Sequence, residues 1–189
     1  MLARTLACLC LIVLPLAGQA RPVVYVLQTA TSSVAFETDF GPDKITGTFP
    51  LARAELTLDF EDVTKCKIDV TLDVTRAKAS FPFAAQALRG PKVLDADVHP
   101  NMHFVSTRIK ARGEGADVSG NITIRGVTRP VTLRAMIYRQ AGYAEGDRSH
   151  LSVRLTGRVL RSEFGATGWA DMVGDEVRIV IDARIEARG

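Results

Sequence analysis

Three histidines, one cysteine beyond the first twenty residues and a scatter of arginines are the side chains here with a chemistry of their own. His99 and His103 stand four apart, a spacing that on a helix sets two imidazoles side by side for a metal. Pro100 lies between them, and the residue before a proline is driven out of helical backbone. Zinc asks for three or four ligands, and Cys66 is remote in sequence. The reading is therefore no metal site, with His99 ending a loop and His103 pointing outward from a strand. His150 completes the set. No Gly-x-Ser-x-Gly occurs, and no serine or cysteine sits where a neighbouring base would activate it. No catalytic residue is assigned, and the chain reads as a non-enzyme.

The remaining polar candidates each carry two readings. Ser106 falls on the expected inner face beside Phe104. It either meets a ligand head group or is a core hydroxyl bonded to backbone, the commoner fate of such groups. Arg125, Arg129 and Arg134 suit phosphate, yet nearly balanced charge favours a solvated outer face. Arg161 lies between Val159 and Phe164 where a strand meets a loop. A buried arginine demands a partner, so it either pairs with a carboxylate such as Asp175 or greets a head group at a cavity mouth.

The first twenty residues read as an export leader. Arg4 precedes an apolar run from Leu6 to Leu16, and Ala17-Gly18-Gln19-Ala20 supplies small residues for cleavage near Ala20. The run is too short to span a bilayer. The expectation is a signal peptide over 1–20, one domain over 21–189, and a periplasmic or secreted location. Losing Arg4 takes the formal charge from +3 to +2, and no basic block suggests nucleic acid as a partner. Cys8 and Cys10 leave with the leader, so Cys66 has no mate within the chain. The oligomeric state stays open, a dimer linked through Cys66 included.

The elements that must position these residues are strands. From Glu176 to Ala187 the residues Val177, Ile179, Ile181, Ala183, Ile185 and Ala187 alternate with charged neighbours, Val180 excepted. Strand side chains point to opposite faces in turn, so one face is dry and the other wet. The same period runs through 34–40, 45–49, 52–60, 68–74, 102–109, 118–124, 131–137 and 151–159. It fails between Ala79 and Asp97, where Ser80 as N-cap, Pro82 and Gly90 predict a short helix and Lys92–Ala96 a further helical turn. Short connections make the neighbours antiparallel, about eight to ten strands in all. Gly47, Gly120 and Gly157 on dry faces mark bends or close approaches, and only closure into a barrel removes unpaired edges.

A closed barrel makes the dry residues candidates for a ligand site. Phe36, Phe49, Phe104, Ile122, Leu133, Leu155 and Ile179 come from different strands. Phe81, Phe83, Leu88 and Leu94 come from the helical insert, and Phe164, Trp169 and Met172 from the last long connection. The small residues Ala52, Ala54, Ala135 and Ala183 are expected to leave room inside.

Several segments resemble the YceI-like family of exported lipid-binding proteins. They are Thr31-Ser32-Ser33-Val34-Ala35-Phe36, Ile45-Thr46-Gly47-Thr48-Phe49, the run from Val93 to Thr107 containing His99-Pro100, the run from Val118 to Leu133, Arg161-Ser162-Glu163-Phe164-Gly165, and Val173-Gly174-Asp175-Glu176-Val177. They cover nearly all of 21–189 in the family's order. The resemblance implies an all-β fold, an antiparallel lipocalin-like barrel of about eight strands with a short helical insert. It also implies a hydrophobic small-molecule ligand, an isoprenoid lipid or quinone-like amphiphile, and no other cofactor. The family's first-motif histidine is Thr31 here, and the acidic residue often before it is Gln28. A rival reading is a filled envelope module that recognises a partner protein, and transient contact with a membrane or envelope protein is compatible with either.

Overall fold

A computed structural model describes residues 22–188, and the leader expected over 1–20 lies outside them. The elements are β1 (Val23–Leu27), β2 (Ser33–Phe40), β3 (Asp43–Phe49), β4 (Leu51–Leu58), β5 (Lys67–Asp73), β6 (Lys78–Ala79), α1 (Pro82–Arg89), β7 (Asn101–Arg112), β8 (Gly115–Ile124), β9 (Val127–Arg139), β10 (His150–Leu160) and β11 (Val173–Ala187). Hydrogen bonding runs β1-β4-β5-β7-β8-β9-β10-β11, and a further β1–β11 pairing closes eight antiparallel strands into a barrel.

β11 is the seam of that barrel. One of its edges pairs with β10 from Glu176 to Glu186. The other edge is shared, with β2 taking Val173–Asp182 and β1 taking Ile185–Ala187. β2 continues into β3, which pairs with the two-residue β6 just before α1. The connection from Arg161 to Met172 lies at this same end, tied to the β2–β3 turn where the Gly41 N–H donates to the Met172 carbonyl.

Local chemistry sets the turns and the register. Arg125 and Gly126 both have positive φ, 50° and 73°, and form the two-residue link from β8 to β9. Mirror-image turns of this kind match the twist of paired strands. A bulge between Ser106 and Arg108 shifts the register of β7, so that Ile109 reaches the inner face. Gly47, Gly120 and Gly157 are places of close approach. A Cβ there would collide with the Phe36 ring, the Phe104 ring and the Leu133 side chain respectively.

Three details depart from the sequence reading. Ser80 does not cap α1: the N-cap is Phe81, and the Ser80 hydroxyl accepts the Thr46 N–H instead. Lys92–Ala96 is not helical. It is a set of hydrogen-bonded turns folded back on α1, with Leu94 N–H donating to the Leu88 carbonyl and Ala96 N–H to Arg89, and with Asp95 at φ 53°. Ala52 is exposed, because a bulge between Leu51 and Arg53 breaks the alternation and turns Leu51 inward in its place.

Two packed clusters lie towards the ends. Val74, Leu94, Ala96, Met102, Ile124 and Phe164 join the insert and the last connection to the wall. Tyr25, Leu151 and Ile185, with Leu58 and Phe60 against them, fill the opposite end. There Phe60 meets the Tyr25 ring edge-on at 6.4 Å, and the Tyr25 hydroxyl donates to the Arg148 carbonyl at 2.7 Å.

Candidate ligand cavity

Between these clusters a third, of Ile109, Val118, Val131, Leu133 and Ala135, packs along the β7–β9 wall, and the space it faces is hollow. The cavity measures about 980 Å³ and is bordered almost wholly by apolar side chains from every strand of the barrel except the exposed parts of β1. That volume lies near the top of the roughly 300–1,000 Å³ range of small-molecule sites. Burial tells the same story. Phe49, Leu56, Leu72, Phe104, Ile122, Leu155 and Ile179 face inward yet are only half-buried. An inward side chain retains accessible surface when nothing packs over it, which is the opposite of the close packing of a filled interior.

All fourteen apolar residues singled out from the sequence, Met172 included, border this hollow, in three different settings. Phe36, Leu133, Phe49, Phe104, Ile122, Leu155 and Ile179 form the wall. Val70 of β5, Phe104 of β7 and Ile122 of β8 stand side by side across three adjacent strands. Leu94 and Phe164 are fully packed, at 6% and 1% exposure, and act as core residues that close the space beneath the insert. Leu88 is half-buried against them. Phe81, Phe83 and Trp169 border the cavity and solvent together, with Phe83 84% exposed. The end built from α1 and the 161–172 connection is therefore where the hollow opens.

The polar candidates are placed differently. The Ser106 hydroxyl accepts the Ile68 N–H at 2.9 Å beside the β7 bulge, and Ser106 is not on the cavity border. This is the backbone-bonded alternative. Arg161 is 8% exposed and does not pair with Asp175. Its guanidinium donates to four carbonyls, Nε to Gly174 at 2.9 Å, Nη1 to Ala166 at 2.5 Å and Gly168 at 2.8 Å, and Nη2 to Val173 at 2.8 Å. Asp175 instead accepts the Ser162 N–H and hydroxyl at 2.9 and 2.7 Å. The left-handed Gly165 (φ 72°) bends the connection back over the guanidinium, which offers its planar fork to carbonyls that would otherwise lack donors. Arg161 thus staples one wall of the mouth.

The other basic residues do not converge. Arg125 donates to the Pro91 and Gly165 carbonyls, Arg134 pairs with Asp117, and Arg129 is exposed. His103 pairs with Asp69 at 2.8 Å on the outer face, and His99 lies against Gly126. Among the described residues no three of His, Cys, Asp and Glu gather as metal ligands would. Gln28 and Thr31, where the family motif is changed, do not border the cavity.

Sequence reasoning missed the polar corner at the far end. The alternation over 52–60 puts Asp59 on the wet face, but β4 stops at Leu58 and the chain turns. Asp59 is 3% exposed, and one carboxylate oxygen accepts the Glu61 and Asp62 N–H groups at 2.9 and 2.8 Å. Cys66 borders the hollow beside it, its sulfur 3.2 Å from the Asp59 nitrogen, and burial pushes its thiol pKa up. The signal was the Glu61-Asp62 turn, which ends the strand period one residue early.

A closed antiparallel barrel around an open apolar hollow defines a class of binding protein that encloses its ligand. Comparison with known proteins is consistent with that class. A model of the YceI-like domain matches residues 25–185, and the chain belongs to this family. A UPF0312 protein of Serratia proteamaculans is 30% identical over 140 residues, covering 71% of this chain and 70% of that one. A UPF0312 protein of Pseudomonas aeruginosa is 29% identical over 174 residues, covering 87% and 91%. Among solved structures, Burkholderia cenocepacia BcnA matches with a TM-score of 0.75 at 22% identity, over 84% of this chain and 99% of that one. A polyisoprenoid binding domain from Saccharophagus degradans matches with a TM-score of 0.61 at 10% identity, over 88% and 99%.

Proposed function

We propose that this protein is a carrier that shelters an isoprenoid or similar long-chain amphiphile in its barrel, exported to the periplasm or secreted after cleavage near Ala20. The observation that carries the reading is the unfilled apolar hollow of about 980 Å³. The similarity of fold to a domain described as polyisoprenoid binding supports it. The chemistry needs no catalytic group. Each buried CH₂ contributes about 0.8 kcal/mol, against association costs of about 4–15 kcal/mol, so chain length decides affinity. Neither Ser106 nor Arg161 offers strong head-group recognition, since their principal polar contacts are to backbone. Selectivity then follows how much chain the hollow accepts.

The test is extraction of the purified protein with organic solvent followed by mass spectrometry. A prenyl or long-chain amphiphile in near-stoichiometric amount is expected. An extract free of such lipid, together with no uptake of added prenyl chains, overturns the reading.

A further inference from the structure

The open end carries an apolar rim that packing does not explain. Phe83 in the first turn of α1 is 84% exposed, Phe81 45%, Met172 49% and Trp169 40%. The same four side chains border the cavity. They come from two segments held together locally: the Gly168 N–H donates to the Lys92 carbonyl at 2.8 Å, and the Lys92 ammonium stands 5.8 Å over the Trp169 ring. Phenylalanine and methionine beside a tryptophan, with a lysine whose long stem can keep its charge in water, is the residue mixture of a membrane interface. Other apolar side chains are exposed elsewhere, Val98 and Tyr138 among them, but these four are grouped around one opening, and grouped exposed apolar surface marks an interaction site.

We infer that this rim docks the barrel mouth-down on a lipid bilayer surface. The inference rests on the carrier reading, and it names the phase from which the cargo comes. An isoprenoid chain resides in a bilayer, not in water. A rim that is continuous with the cavity wall lets the chain pass from lipid to protein with little exposure to water between them. A protein partner would not need its contact residues to line the cavity as well. Lys92 stands by Trp169, Arg89 ends α1 and Asp171 precedes Met172, so both signs of charge occur on the segments of the rim and the docking relies on apolar contact and not on attraction to anionic lipid.

The chain has one tryptophan, and it stands on this rim. That supplies a reporter that needs no cargo. The protein lacking residues 1–20 is titrated with vesicles of phosphatidylcholine, and then with vesicles of dibrominated phosphatidylcholine, neither containing any prenyl lipid. Trp169 emission is expected to shift to the blue and to be quenched by the brominated chains, with little change between low and high salt. Phe83→Asp should weaken vesicle partitioning at least tenfold, and Met172→Asp should act in the same direction. Tyr138→Asp, at an exposed apolar residue near the other end of the barrel, should leave the quenching unchanged. Absence of quenching in the unaltered protein overturns the inference, as does equal partitioning of Phe83→Asp, and either result leaves the carrier reading to stand or fall by solvent extraction. Partitioning that disappears with salt also overturns it, since contact would then be electrostatic.

Discussion

A single charge at Phe104 is the sharpest probe of the hollow. Its ring lies on the middle of the wall between Val70 and Ile122 and over Gly120, half-buried, with the cavity on its free side. In the empty protein an aspartate at this position can be hydrated from the cavity. In the loaded protein it faces hydrocarbon, and the ligand cannot cover it without stripping its water, which costs several kcal/mol. The three side chains together span a patch on the scale of one five-carbon prenyl unit. Losing that unit's contact forfeits about 4 kcal/mol at roughly 0.8 kcal/mol per carbon. At about 1.4 kcal/mol per tenfold, Phe104→Asp should weaken binding by on the order of a thousandfold. The assay is fluorescence titration with a labelled geranylgeranyl chain. Val105→Asp, one residue along and 37% exposed on the outer face, is the matched control and should bind within about threefold of the unaltered protein. Circular dichroism of both variants checks that the strands persist. If a folded Phe104→Asp protein takes up the probe as well as Val105→Asp does, the chain does not lie along this wall and the reasoning fails.

Two further outcomes follow from the ends of the barrel. Arg161→Lys should destabilise the protein by about 2–5 kcal/mol, because an ammonium cannot reach the carbonyls of Ala166, Gly168, Val173 and Gly174 at once, and each buried acceptor left unmet costs about 1–3 kcal/mol; urea unfolding measures the loss, and limited proteolysis should now cut between 165 and 174. Burial raises the Cys66 pKa, so in protein lacking residues 1–20 its thiolate fraction at pH 8 is below that of an ordinary thiol; alkylation by iodoacetamide should be slower than for glutathione, rise with pH beyond the usual thiol range, and slow further when a prenyl chain fills the hollow.

The strands were legible because alternation is local. Val177 through Ile185 reads as a one-sided strand from its own residues, and so do β8, β9 and β10. The wall residues of the site came with that pattern, since every second residue of a barrel strand faces inward. Where the pattern broke, the sequence misled. The bulge at Leu51–Arg53 reversed Ala52, and the end of β4 turned Asp59 from a surface carboxylate into a buried one. Bulges and strand ends depend on the partner strand, which local residues do not name.

Residue alternation alone makes most of this chain one-sided antiparallel strand, and its family motifs point to the barrel. That the inside stays empty is a property of how the strands close. Phe104 has the same type and spacing whether it meets another side chain or a void, because hydrophobicity specifies removal from bulk water and not what fills the space. Closure through β1 and β11, with the insert held to one end, sets the ring of strands wider than their side chains can span. Arg161 shows the same division: its chain position announced a buried charge in need of partners, and the fold of the 161–174 connection chose carbonyls over Asp175.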